Sequence, residues 1–193
     1  MAGTRPLGTS KTDDARLLDE LLHSEKERRE HEYVRISLRE ELEPLSESFQ
    51  LDPEPSEMKL SHGRHLVSRI HAALRPGITS LDVLGALHPT PAVGGYPTKL
   101  ALQAISDLET FDRGWYAGPV GWIGPDQADF AVAIRSGLVA GRQLSLYSGA
   151  GIVAGSTPWS EWEEIEHKIQ GFTSVLGLPS SGVQAALMRH VHA

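Results

Sequence analysis

From Asp13 to Glu43 the chain runs without a proline, and no other stretch constrains the fold as strongly. Leu17, Leu18, Leu21 and Leu22 give way to SEKERREHEYVRISLREEL, dense in charge at helical spacing, which predicts one long helix or two abutting helices. Elsewhere prolines and glycines cut the chain into short pieces. LDPEPSE (51–57) predicts a loop, and HLVSRIHAAL (65–74) a strand that RPGITS breaks. Ser80 is placed to cap a short helix over 81–87, HPTPAVGGYP predicts an irregular loop, and TKLALQAISDLE a helix over 98–109. Strand-like runs at 115–123, 128–139 and 142–149 are separated by GPDQ and AGRQ and predict an antiparallel meander. A closing helix is expected from Ser160 to Leu176, with Ser160 and Glu163 as a capping box and Gly177 and Pro179 as stop signals. Its residues Trp162, Ile165, Ile169, Phe172 and Leu176 recur at intervals of 3 or 4 and predict a buried stripe. Helices followed by a meander and a closing helix read as an α+β fold, with residues 180–193 as a tail.

At 193 residues and 40% apolar composition, the chain has room for one domain with a substantial core. A net charge of -7, with 18 basic residues spread along the sequence, argues against nucleic acid as a partner. The absence of cysteine excludes disulfides, zinc–thiolate sites and thiol nucleophiles. The N-terminus MAGTRPLGTSKTDD lacks the apolar core of a signal peptide, and no apolar run reaches membrane-spanning length, so no membrane partner and a cytoplasmic location are expected.

Three groups of residues carry possible chemistry. GAGIVAG (149–155) reads G-x-G-x-x-x-G, one residue longer than the dinucleotide fingerprint, and it runs into a helix start crowded with Glu161, Glu163 and Glu164, which would repel a phosphate. Glu161, Glu164 and Lys168 share a helical face; a surface ion pair accounts for that spacing as well as a site does. Glu27, Glu30, His31 and Val34 share a face of the first acidic helix, which reads equally as a solvated charged surface. Carboxylates from two helices suit a hard divalent cation such as Mg2+, which takes oxygen ligands and keeps places for water and substrate. The pair of histidines in HGRH (62–65) suits zinc only on a helix, and this segment reads as a strand entry. There is no Ser-His-Asp order or nucleophile elbow, so hydrolase chemistry has no support.

Taken together, AGTRPLG (2–8), SEKERREHEYV (24–34), LHPTPAVGGYP (87–97), FDRGWYAGPVGW (111–122), FAVAIRS (130–136), YSGAGIVAGSTP (147–158) and EWEEIEHK (161–168) resemble the chorismate-utilising enzymes. That family includes isochorismate, anthranilate, aminodeoxychorismate and salicylate synthases, and the motifs occur here in family order. LHPTPAVGG looks like the isochorismate synthase version of its loop. The resemblance implies the C-terminal part of the chorismate-binding fold, with chorismate and isochorismate as small-molecule partners and Mg2+ as cofactor. It implies metal ligation by Glu30 and Glu164 and substrate contacts from Gly3, Thr4, His65, Ala92, Arg135, Gly149 and Lys168. Arg135 offers a planar fork for a carboxylate, Lys168 a point charge, and Gly149 an unobstructed backbone N–H.

The implied reaction adds water at C2 of chorismate while the C4 hydroxyl leaves, so it needs a general base and a general acid. In the family these are a lysine and the glutamate of a Gly-Ala-Ser-Pro-Glu motif, both upstream of the Ala-Gly-Thr segment that here begins at residue 2. Both are therefore expected upstream of Met1. The expectation is a truncated isochorismate synthase in which no residue of 1–193 carries either role. A non-catalytic chorismate- and metal-binding fragment that needs a partner chain, or a synthase of the anthranilate or salicylate type, are the alternatives. Isochorismate feeds both menaquinone and catecholate siderophore synthesis, and the sequence selects neither.

Overall fold

The computed structural model describes residues 2–60 and 63–177. Met1, upstream of which the general base and acid are expected, lies outside the described residues. So do His62, Pro179 and the segment 180–193 read as a tail. The chain forms two compact units. The first comprises the described residues up to Asp112 together with Pro119–Ala131 and Val153–Gly155. The second comprises Arg113–Gly118, Val132–Ile152 and the described residues from Ser156.

In the first unit the proline-free run is two abutting helices, α1 (Lys11–His23) and α2 (Glu25–Leu42). Ser24, with φ -67 and ψ 113, takes an extended conformation that ends one helix and caps the next. Its Oγ accepts the Glu27 N–H at 3.4 Å, as Ser10 Oγ accepts that of Asp13 at 3.2 Å for α1. Such caps are typically worth about 1 kcal/mol each.

Strands β1 (Ala2–Arg5), β3 (Ser56–Leu60) and β4 (Gly63–Val67) form an antiparallel sheet in the order β1-β4-β3. A separate antiparallel pair joins β2 (Ser46–Leu51), reached through a 3-10 turn at Glu43–Leu45, to β5 (Ile70–Leu74). The run 65–74 is thus two strands in two sheets. The break falls where Ser68 Oγ binds α2 side chains and the Arg69 N–H is held by the Asp52 carboxylate at 2.9 Å. Pro53 and Pro55 confine the expected loop to its middle, and Leu51 and Ser56–Glu57 at its ends are strand.

Thr79, not Ser80, caps α3 (Ser80–Leu87), through a capping box in which Asp82 Oδ2 accepts the Thr79 N–H at 2.8 Å. Ser80 is instead the first helical residue. The loop expected to be irregular contains one helical turn, α4 (Pro91–Gly94), and is followed by α5 (Thr98–Leu108). Strands β6 (Pro119–Ile123) and β7 (Ala128–Val132) pair with each other. Leu21, Val34, Leu42, Leu66 and Val67 make the apolar core of this unit. Beside them Arg64, 1% exposed, is paired with Asp14 and, at 2.9 Å, with Glu57.

The second unit holds the antiparallel pair β8 (Ser136–Ala140) and β9 (Gln143–Tyr147) and the helix α6 (Pro158–Val175). The expected strand 128–139 is broken at 133–135, where Arg135 adopts φ 48 and cannot continue an extended chain. Two strand pairs therefore replace the three-stranded meander. The cap of α6 is Thr157, whose Oγ1 accepts the Ser160 N–H at 3.4 Å; Ser160 lies inside the helix, so the expected Ser160–Glu163 box does not form. The expected apolar stripe is buried at Ile169, while Trp162 is 43% and Leu176 49% exposed. The buried residues of the helix are Glu161, Ile169 and Thr173, at i+4 multiples, so a glutamate and a threonine share the inward face with Ile169. Helices with antiparallel strand pairs make this an α+β protein. Among the described residues no helix is long and apolar enough to cross a membrane.

Candidate functional site

In the first unit the expected residues gather around α2 and the β1–β4 pair. Thr4 lies opposite His65 in the strand register, and Gly3 precedes it in β1. One residue later, Arg5 Nη1 reaches Glu27 Oε1 at 2.7 Å and ties β1 to α2. Glu27 is 7% exposed, and Glu30 stands one turn further along the helix with Lys26 Nζ at 3.7 Å. Ala92 is exposed on α4, in a loop that the stacking of Tyr96 on Tyr33, 5.6 Å between centroids, fastens to α2. His31 is buried, with Nε2 2.9 Å from Ser68 Oγ, and burial pushes its pKa down from 6.5 to about 4, the positive charge of Arg35 adding to the effect. Arg35 donates to Ser68 Oγ at 2.6 Å and to the carbonyls of Asp52 and Pro53 at 2.9 and 3.0 Å. This polar knot fixes the rotation of α2.

In the second unit Ser136 pairs with Tyr147, so Arg135 just before β8 and Gly149 just after β9 sit at the same end of the ribbon. Arg135 is exposed and held at positive φ, a conformation that costs a non-glycine residue about 1 kcal/mol or more. Lys168 Nζ donates to the Gly149 carbonyl at 2.8 Å and lies 2.6 Å from Glu164 Oε1. The i,i+4 spacing alone suggested a surface pair; the long-range bond to Gly149 makes Lys168 a bridge between helix and glycine loop. The need for glycine at 149 has a local cause: a Cβ there would lie 2.6 Å from Tyr116 Oη. Tyr116 itself is stacked on Tyr147 at 5.7 Å, with the Arg113 guanidinium 5.8 Å from its ring centre. Next to Gly149, Ser148 Oγ is buried with no hydrogen-bond partner among the described residues. A buried hydroxyl without a partner beside a glycine loop and a lysine is the kind of group a polar ligand satisfies.

The sequence profile of the family described as chorismate binding enzyme matches residues 1–177. The chain belongs to the chorismate-binding enzyme family. It is 42% identical over 177 residues to isochorismate synthase 2, chloroplastic, of Arabidopsis thaliana, a match covering 91% of this chain and 32% of that protein. It is 40% identical over 192 residues to the salicylate biosynthesis isochorismate synthase of Pseudomonas aeruginosa, covering 99% of this chain and 40% of that one. The fold superimposes on the putative 2,3-dihydroxybenzoate-specific isochorismate synthase of Bacillus anthracis with a TM-score of 0.85 and 36% identity, over 92% of this chain and 48% of that one. The chain thus spans about a third to a half of the length of these relatives.

For this family member, two acidic helices repeat one pattern. Each presents Glu-x-x-Glu, Glu27 with Glu30 and Glu161 with Glu164, and in each the first glutamate is buried, at 7% and 5% exposure. The equal spacing is the sequence signal that would have added Glu27 and Glu161 to the expected residues. Tyr116 had no such signal, since its relation to Gly149 exists only in three dimensions. Among the described residues no three His, Asp or Glu side chains converge as a metal site. The donor chemistry nonetheless fits Mg2+: carboxylate oxygens only, few in number, with Glu30 and Glu164 both partly exposed and already beside a lysine cation.

Proposed function

We propose that this chain holds chorismate and Mg2+ as part of an isochorismate synthase of the cytoplasm. The observation that carries the reading is the Lys168 bridge, which sets a cation and the carboxylate of Glu164 against the Gly149 loop, at the end of the ribbon where Arg135 also sits. Chorismate is a dianion, and a site for it must offset two carboxylates. In this reading Lys168 meets one as a point charge, and Arg135, pre-set by its backbone, meets the other with its planar fork. Ser148 Oγ supplies a hydroxyl to the bound molecule, and Tyr116 leaves room only for glycine at 149. Gly3, Thr4, His65 and Ala92 are the substrate contacts assigned to the first unit. Glu30 and Glu164 are the carboxylates assigned to the metal. Bound Mg2+ would supply positive charge that offsets the repulsion between a coordinating glutamate and a substrate carboxylate.

Moving the hydroxyl from C4 to C2 requires one proton taken from water and one given to the leaving group. No residue of this chain is assigned either role. Bound orientation alone does not supply proton transfer, so the chain is expected to bind chorismate in a Mg2+-dependent way and to turn it over far more slowly than a longer synthase. The dependence on further polypeptide is supported by β6, exposed along its whole length with Val120 at 59% and Trp122 at 50% exposure. A two-stranded ribbon with uncovered faces is marginal in water.

Incubating the purified chain with chorismate and Mg2+, and following isochorismate by chromatography, tests both statements. Turnover equal to that of a longer synthase refutes the dependence on further polypeptide. Release of pyruvate refutes the isochorismate assignment, because hydroxyl transfer leaves the side chain on the ring.

A further inference from the structure

A cleft of about 460 Å3 runs along α2, walled on its other side by the loop containing Pro53, Glu54 and Pro55. Residues 28, 32 and 35 follow one another at steps of four and three and share the helix face that lines it. Glu27 points roughly a third of a turn away and Glu30 roughly half a turn. The lining is mainly basic, with Arg28, Arg29 and Arg35 against Glu32 and Glu54.

The three arginines differ in what they have left to give. Arg35 is spent on Asp52, Pro53 and Ser68, so it shapes the cleft. Arg28 and Arg29 are exposed. Arg28 reaches Glu54 Oε2 at 3.0 Å and the Leu22 carbonyl at 3.4 Å, and Arg29 the Ala154 carbonyl at 2.9 Å. A guanidinium carries five N–H donors, so both retain donors for a ligand. Deeper in the wall, His31 is 2% exposed and its Nδ1 is buried without a hydrogen-bond partner among the described residues. An unsatisfied buried ring nitrogen is costly, and a polar ligand removes that cost. The volume lies in the range of small-molecule sites, and Pro53 and Pro55 add an apolar side.

We propose that this cleft binds a small organic anion, its carboxylate or phosphate head on Arg28 and Arg29 and its apolar body against Pro53 and Pro55. The Glu54 carboxylate on Arg28 occupies the place of the head. Because that ion pair is exposed it is weak, and a ligand displaces it at little cost. The proposal stands independently of the chorismate site.

Calorimetric titration of the full chain with benzoate and, separately, with phenyl phosphate tests it, the two probes distinguishing a carboxylate from a phosphate head. Saturable binding of at least one probe is expected, weakened by added salt. In the double variant Arg28→Ala, Arg29→Ala the affinity should fall about tenfold or more. In Glu54→Gln it should rise several-fold, because the internal competitor has lost its charge. All three positions are exposed, so the variants should fold, as circular dichroism can verify. Absence of saturable binding by either probe, an unchanged affinity in the double arginine variant, or weaker binding in Glu54→Gln overturns the proposal.

Discussion

The two acidic helices present the same four-residue pattern in different settings. In α2, Glu27 is paired with Arg5, and the helix is locked from below by His31, Arg35 and Ser68. In α6 the buried residues are Glu161, Ile169 and Thr173, while Trp159 and Val175 stand 72% and 85% exposed. The lysines differ as well. Lys168 follows Glu164 by one turn, the favourable order along a helix dipole, and sits at 2.6 Å; Lys26 precedes Glu30 and sits at 3.7 Å. A motif read as one thing in the sequence is thus clamped in one helix and bridged to a loop in the other. The acid pattern is shared; what orients it is local.

The largest effect expected from this comparison is on the clamp. Arg35→Met should cost about 2–3 kcal/mol in urea unfolding, because it removes three hydrogen bonds of a buried guanidinium and leaves the part-buried Asp52 and Pro53 carbonyls without that donor. Thr173→Val in α6, whose hydroxyl only back-bonds to Gln170 at 3.1 Å, should cost under about 1 kcal/mol. Equal losses would erase the distinction between the helices.

Next in size, Gly149→Ala should cost about 1–3 kcal/mol, since the new methyl displaces Tyr116 from its stack on Tyr147. Adding Tyr116→Phe should recover part of that loss. A double variant no more stable than Gly149→Ala alone would show that the glycine serves something other than Tyr116.

Acid should act on the first unit in two stages. His31, held neutral with a pKa near 4 against 6.5 unfolded, contributes stability that is complete above pH 6.5 and is lost as pH falls toward about 4. Asp14 is held well below its ordinary 3.8 by Lys59, the Gly8 N–H and Arg64, so its contribution is complete above that value and is lost at lower pH. Thermal melts across this range should show the first stage vanish in His31→Gln and the second weaken in Asp14→Asn. The smallest effect concerns the lysines. A double-mutant cycle on Glu164 and Lys168 should give a coupling of about 0.5 kcal/mol and one on Lys26 and Glu30 a few tenths at most, which a reversed order would contradict.

The helices were legible because a proline-free charged run and a Gly-terminated one leave few alternatives, and two abutting helices was one of the readings, although the sequence did not place the junction at Ser24. The strands were not, because their limits depend on distant partners. SESFQL becomes β2 only when IHAAL pairs with it, and HLVSRIHAAL splits because α2 competes for Ser68. The candidate residues of the site were named by resemblance, from motifs in order. The bond from Lys168 to Gly149 and the contact of Tyr116 with Gly149 were not, since no periodicity records an approach between separate segments.

Arg135 carries a consequence for anyone who would engineer this chain. Its left-handed backbone favours glycine, so a screen that rewards heat resistance alone should favour Arg135→Gly among its first gains. That gain would delete the guanidinium that the proposed site uses, and the most stable descendant would be the one least able to hold an acid.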